Sequence, residues 1–415
     1  MGGARRARVA AVERREFDVA VVGASVAGCA AARLFAQEGA RVALIERRPD
    51  PAAYKVVCTH AILPSATATI ERLGLAPLLR ERGAVRTRAD FWTPYGGWFD
   101  LPDDAIQGWG VTRRTLDPML RSLAAGTPGV ELLAGWTARS VVSERGRVAG
   151  VEVEDRGHRR LAIRAGLTVA ADGRDSTLAR LARVPGRVRP HNRFFYFAYW
   201  RGLRPASDAF RIWILDPDGA AQFPNEDDVT VLVAAFHRAR LDEVRADVEG
   251  AYLRRLAELP DGPGLRQAER VSKILGKLEM PNVMRPAAAP GIAFTGDAAL
   301  ATDPLFGVGL TFAFQSAAWL VDETSCALGD ARALDAALTR YRRRFAWRLG
   351  PHHLQIADFS TGRRTTPVER YVFRRATRDP ILARGIGEVL SRERSALRLY
   401  DPRLVARLLI PRRAA

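Results

Sequence analysis

The stretch "VAVVGASVAG", residues 19–28, decides the fold. Four apolar residues run into a glycine-bearing turn, as a strand feeding a dinucleotide-binding helix does. Gly23 permits the tight turn, and Gly28 lets the next helix pack closely on the strand. Where the G-x-G-x-x-G fingerprint has its middle glycine, this chain has Ser25, whose hydroxyl can itself donate to a phosphate oxygen. Val26 and Ala27 open a helix whose free N–H groups and partial positive charge face that anion. Phe17–Val22 thus reads as a buried strand, Ala27–Glu38 as a helix and Arg41–Glu46 as a second strand. This is the βαβ opening of a doubly wound fold. Glu46, 18 residues after Gly28, ends the second strand, where a carboxylate holds ribose hydroxyls and repels a 2′-phosphate. The site suits FAD or NAD better than NADP.

At 415 residues the chain has room for two or three domains, and 47% apolar content is that of a globular protein. The N-terminus is basic but lacks a continuous apolar run, so it reads as no secretory signal. The longest apolar stretch, Val308–Val321, is interrupted by Gln315 and Ser316 and is too short to span a bilayer. Cys29, Cys58 and Cys326 are far apart, which supports neither a disulfide framework nor a metal site and makes a cytoplasmic location the expectation.

The formal charge of +18 invites a nucleic-acid reading, but its distribution does not. Residues 331–415 hold twenty arginines against seven acids, and residues 1–16 hold five against two. The 314 residues between them carry only +2. The excess sits at the ends, away from the motifs, so no nucleic-acid partner is expected. A one-sign C-terminal surface could instead recruit an acidic partner, such as a carrier protein presenting a tethered substrate.

Residues 186–240 change character. "RFFYFAYWRGL", "FRIWIL" and "VTVLVAAF" are aromatic and β-branched runs separated by turn residues, as antiparallel strands are. The expected architecture is α/β: a Rossmann-like FAD-binding domain over 17–185, completed by 281–330, with an inserted antiparallel β-sheet substrate domain over 186–280. A C-terminal helical region follows over 331–415. There Leu334, Leu338, Tyr341, Phe345 and Leu349 form an apolar stripe with arginines between them. A further helix is expected at "SATATIERL", N-capped by Ser65.

Two later stretches choose FAD. "VAADGRDSTLAR" places Asp172–Gly173 after a strand, and "GIAFTGDAALATDPLFGVGL" places Gly296–Asp297 after another, then Pro304 and a Gly307-Val308-Gly309 turn into a helix at Leu310. Together with the opening turn, these resemble the three fingerprints of the para-hydroxybenzoate-hydroxylase-like flavoprotein monooxygenases. "YKVVCTHAILPSATATIERLGL", "VTRRTLDPML" and "FFYFAYWRGL" are similar to segments of actinobacterial oxidoreductases of that type. The resemblance implies FAD contacts from Asp172, Gly173, Asp297 and Arg113, with Arg47 and Lys55 beside them. It also implies a helix at Leu310 aimed at the flavin edge where reduced flavin carries negative charge. Phe312 and Gln315 depart from the family pattern, which often has Asn and Asp there.

The resemblance implies a monooxygenase that uses NAD(P)H and O2 to hydroxylate or epoxidise a largely apolar aromatic or polyene small molecule, as in secondary metabolism. The alternative is a reductase resembling geranylgeranyl reductases, whose Cys-containing segment "YKVVCTHAILP" resembles. A flavin halogenase is weaker, since W-x-W-x-I-P is absent and no lysine lies between Lys55 and Lys273. No second dinucleotide fingerprint is present, so NAD(P)H is expected as a transient visitor. His60, Tyr199 and Trp213 are the substrate-pocket candidates; no metal ligand set and no compulsory catalytic base stand out.

Overall fold

The computed structural model describes residues 13–99, 101, 107–203, 209–304 and 306–409. The basic residues 1–12 and the last six of the C-terminal region lie outside the described residues.

Strand β1 (Glu13–Val22) is followed by helix α1 (Val26–Gln37) and strand β2 (Val42–Glu46). Helix α2 (Arg113–Ala125) leads into β3 (Val130–Ala134), and β4 (Arg160–Ala170) and β5 (Ile292–Phe294) come later in the chain. These five strands are parallel, in the order β5-β4-β1-β2-β3. Both faces of such a sheet are covered, which is why Val19–Val22 and Val42–Glu46 are buried without alternation. From β1 the chain crosses to one side through α1 and β2, and its other neighbour is β4. The carboxyl end of β1 is therefore the switch point at which such sheets open a crevice for ligands.

The glycines of the opening turn are demanded by contact. A Cβ at Gly28 would lie 1.7 Å from the Gly23 carbonyl oxygen, and one at Gly23 would lie 2.4 Å from that of Ala171. Gly23 also takes φ +105°, open to glycine at little cost.

The second sheet is built on Arg193–Arg201, Phe210–Ile214, Gly219–Pro224 and Val229–His237, paired antiparallel as expected. Ala89–Thr93 joins it, pairing parallel with Phe210–Ile214, and Gly97–Trp98 adds a further short strand. Residues 89–98, assigned on sequence to the nucleotide domain, thus join the second sheet. The pairing spans more than a hundred residues and leaves no local signal. At the other boundary, Asn282–Met284 pairs with Arg187–Arg189.

Strand alternation gives this sheet two distinct faces. Phe195, Phe197, Tyr199, Phe210, Ile212 and Ile214 join the main core toward the nucleotide domain. Phe194, Tyr196, Trp200 and Trp213 form a separate core on the other side, with Tyr252 and Leu256 of the helix Val248–Ala257.

Helix α3 (Gly309–Thr324) packs beside α1, and α4 (Ala331–Phe359) lies against α3. The stripe from Leu334 to Leu349 is buried as expected, and the Tyr341 hydroxyl donates to the Phe294 carbonyl at 2.8 Å. Arg340 and Arg344 pair with Glu323, and Arg344 also with Asp322; Arg342 and Arg343 are exposed. Helices α5 (Pro367–Ala376), α6 (Pro380–Leu390) and α7 (Pro402–Leu409) complete the region. Ser65 is not the expected cap: a 3-10 turn over Pro64–Ala66 intervenes, and its hydroxyl is buried without a partner.

Gly28→Ala should destabilise the fold by about 3 kcal/mol, because the methyl group meets backbone that cannot rotate away. Urea unfolding followed by tryptophan fluorescence measures it; a loss under ~0.5 kcal/mol would show that α1 can lift from the turn.

Candidate active site

Three glycine-bearing turns converge at the carboxyl ends of the parallel strands. A Cβ at Gly296 would lie 2.8 Å from the Ala27 side chain, and one at Gly309 would lie 3.9 Å from Asp297 Oδ1. The first and third fingerprints, far apart in sequence, are in contact. Helices α1 and α3 both start here, and no side chain caps either. The first-turn N–H groups of a helix have no partner within it, so both ends present donors and positive potential.

Ser25 precedes α1, and its hydroxyl accepts from Arg113 Nη2 at 2.6 Å. Its own proton is left to donate, so the expected role at a phosphate is compatible with the geometry. Glu46 is buried, with Oε2 accepting the Ala24 N–H at 2.9 Å and Oε1 accepting the Arg48 N–H at 3.0 Å. The Arg48 guanidinium, missed on sequence, also reaches Glu46; its neighbour Arg47 is exposed. Lys55 pairs with Asp297 at 3.0 Å. Burial works against the Asp297 carboxylate, but Lys55, with Arg174 and Arg113 further off, holds it below the usual range.

Asp172 Oδ2 accepts the Leu178 N–H at 3.0 Å, while Oδ1 is buried with no partner. Gly173, at φ +88°, has open space where a side chain would be. Pro304 begins the turn that Gly307 closes by donating to its carbonyl at 2.9 Å. Gly307 has φ +65°, and a Cβ on it would press on Ala61 at 3.2 Å.

Arg113 is the hub. It is 3% exposed and grips Asp117, itself 0% exposed, with Nε to Oδ1 at 2.6 Å and Nη2 to Oδ2 at 2.9 Å. The Arg113 backbone N–H donates to His60 Nδ1 at 2.8 Å, and His60 Nε2 lies 2.7 Å from the Tyr199 hydroxyl. Burial and Arg113 together push the His60 pKa down to about 3, so the ring is neutral. A neutral ring that accepts at Nδ1 must carry its proton on Nε2. His60 therefore donates to Tyr199, and the phenolic proton points elsewhere. Burial raises the Tyr199 pKa, which keeps that proton in place. Cys58 stands beside this network, its sulfur 3.4 Å from the His60 backbone nitrogen and 3.8 Å from Arg113 Nη1.

Trp213 is not part of the site. It is fully buried on the opposite face of the second sheet, its Nε1 donating to the Pro260 carbonyl at 2.9 Å. An even offset from Tyr199 says nothing across two strands; register puts Trp213 on the outer face and Tyr199 on the inner one. Among the described residues no cluster of metal-ligating side chains occurs.

An apolar cavity of about 280 Å³ lies between the second sheet and the C-terminal helices, lined by Ile214, Phe306, Phe359, Phe373, Leu390 and Leu404 among others. Ile214 belongs to the inner face of the sheet, and Phe306 precedes Gly307. The C-terminal region, read on sequence as an arginine-rich surface, thus also encloses apolar space next to the site.

Residues 16–350 match the model of the FAD binding domain family, and the chain belongs to that family. It is 32% identical to digeranylgeranylglycerophospholipid reductase 1 of Methanopyrus kandleri over 72% of this chain and 77% of that one. Reductase 2 of the same organism is 36% identical over a shorter stretch, 42% of each chain. Squalene epoxidase 3 of Arabidopsis thaliana is 26% identical over 74% of this chain and 60% of its own length. Among solved structures, a geranylgeranyl bacteriochlorophyll reductase-like protein from Thermoplasma acidophilum superposes with a TM-score of 0.74. That superposition covers 95% of this chain and 99% of the other at 19% identity, and so shares the fold. The uncapped helix ends, the close glycine turns and the unpartnered Asp172 oxygen fit the polar, phosphate-bearing cofactor of this family.

Arg113→Met should cost about 3–5 kcal/mol and weaken FAD binding, because it strands the buried Asp117 carboxylate. Thermal unfolding with and without added FAD tests this; an unchanged Tm would mean that Asp117 finds another partner.

Acid should destabilise the protein early. His60, His352 and His353 are buried, and burial lowers their pKa values to about 3, 3 and 4. Between those values and the ordinary ~6.5 the unfolded chain binds protons that the folded one refuses. Stability is complete above that upper value and falls as pH drops below it. The Tm measured from neutral pH down to about pH 4.5 should decline, and less so in His352→Phe/His353→Phe. A flat profile would show that these rings take up protons in the fold.

Proposed function

We propose that this flavoprotein saturates a carbon–carbon double bond in a long apolar molecule of prenyl or polyene type, with NAD(P)H as the reductant. Overall, the double bond gains two electrons and two protons, and NAD(P)H with one proton becomes NAD(P)+. The observation that carries the reading is the free phenolic proton of Tyr199 on the inner face of the second sheet. Reduction of an alkene needs a proton as well as a hydride, and this protonated hydroxyl is oriented so that its proton is not tied up with His60. The kinship with archaeal digeranylgeranylglycerophospholipid reductases supports the same reading.

Bound FAD would supply the two-electron chemistry, held by the α1 N-terminus with Ser25 at the pyrophosphate, Glu46 at the ribose, and Asp172 and Asp297 at its polar chain. The rest is done by the chain itself. His60 fixes the Tyr199 hydroxyl by donating to its oxygen, which leaves the phenolic proton to donate onward. The uncapped N-terminus of α3 presents positive potential beside the site, where reduced flavin is anionic. The apolar cavity excludes water and holds the substrate chain, gaining about 0.8 kcal/mol for each methylene it buries.

A second reading, oxygen transfer to the same double bond using NAD(P)H and O2, is supported by the kinship with squalene epoxidase. Product mass separates the two. Protein incubated with NAD(P)H and a geranylgeranyl-type lipid should add two hydrogens per turnover, with or without air. A product carrying one extra oxygen, formed only in air, would replace saturation by epoxidation. Tyr199→Phe should lower kcat on the order of 10²-fold while FAD content and flavin reduction by NAD(P)H stay unchanged. Full activity in that variant would remove Tyr199 as the proton donor.

A further inference from the structure

We propose that α5, α6, α7 and the turn Ala396–Tyr400 form a docking face for an anionic lipid bilayer, with the apolar cavity opening onto it. The argument begins with exposure. Seven of the twelve large hydrophobic side chains exposed among the described residues lie in this one region, Val368, Tyr371, Tyr400 and Leu409 among them. Val368 is 71% exposed and Tyr400 77% exposed, yet both line the cavity, so they mark its mouth. The inner end is at Phe306, beside the glycine turn.

Charge points the same way. In residues 361–409 eight arginines are exposed, from Arg364 to Arg403, and no Asp or Glu is. Asp379 is buried and pairs with Arg407, and Glu369 is partly buried against Arg363. Glu388 and Asp401, partly buried, pair with Arg394 and Arg398, and Asp358 at the cavity pairs with Arg363, so basic charge predominates among the exposed residues. Helix α7 shows the pattern on a small scale: Leu404 packs inward, while Arg403, Val405 and Leu409 are exposed. Apolar side chains interleaved with arginine suit the boundary between headgroups and acyl chains. A second copy of this chain fits poorly, since a twofold interface would set the same arginines against each other. An acidic protein would satisfy the arginines but would need its own apolar face for Tyr400 and Leu409.

The role given to the cavity rests on the proposed long apolar substrate; the docking face does not. In co-sedimentation with FAD-loaded protein, vesicles containing about 30% phosphatidylserine should bind roughly tenfold more protein than pure phosphatidylcholine ones. About 0.5 M salt should remove most of the difference. Arg374→Gln/Arg403→Gln/Leu409→Asp should abolish vesicle binding and turnover of a vesicle-borne lipid, and leave turnover of the detergent-dispersed lipid intact. Equal binding to both vesicle types, or to neither, would overturn the proposal. So would a wild-type dimer in light scattering that Leu409→Asp makes monomeric, or retention by a soluble acidic protein but not by vesicles. Vesicle binding without turnover of any prenyl lipid would leave the docking face standing and sink the proposed reaction.

Discussion

The buried ion pair between Arg113 and Asp117 is the constraint on which the site depends. A guanidinium and a carboxylate taken out of water are tolerated only when geometry is good and the remaining hydrogen-bonding groups are matched. Here they are matched by the parts of the site. Arg113 reaches Ser25 in the first turn, and Asp117 also accepts the Lys55 N–H at 2.9 Å. Lys55 in turn meets Asp297 of the third fingerprint, and the first turn of α2 fixes the His60 ring. One pair on one helix thereby ties together the first glycine turn, the Cys58–His60 segment and Asp297.

The second sheet divides its labour by face. Its outer face is a closed core, in which Trp200 donates to the Tyr252 hydroxyl and Trp213 to a backbone carbonyl. Its inner face meets the nucleotide domain and leaves the Tyr199 hydroxyl directed by His60. His60 itself takes φ +62°, a left-handed conformation of a kind that costs roughly 1–3 kcal/mol in a residue with a side chain. The surrounding bonds hold it there: its N–H to the Cys58 sulfur, its carbonyl to Val111, and its ring to Arg113 and Tyr199. Strain held in place beside a cofactor site is a mark of function more than of packing.

The C-terminal helices combine a cavity, an apolar lip and a predominantly basic surface. No helix among the described residues is long and apolar enough to cross a membrane. Contact with lipid, in the proposed reading, is therefore made by short amphipathic pieces lying on the surface. Such pieces give a weaker and salt-sensitive attachment. That suits an enzyme that must take up and release its substrate.

The nucleotide half was legible because its signals are local. Strand, Gly23 turn, Gly28 and Glu46 lie within 30 residues, and Gly28 and Glu46 answer contacts made inside that stretch. The stripe from Leu334 to Leu349 was legible for the same reason, since helical periodicity is a property of one segment. The pairing of residues 89–98 with Phe210–Ile214, the rejection of Trp213 and the hub role of Arg113 were decided only by tertiary structure. Which face a strand side chain occupies depends on register against a partner far away in sequence, and one residue of slip reverses it. The direction of the hydrogen bond between His60 and Tyr199 was likewise decided in space, because the place of a proton on an imidazole depends on what donates to its other nitrogen.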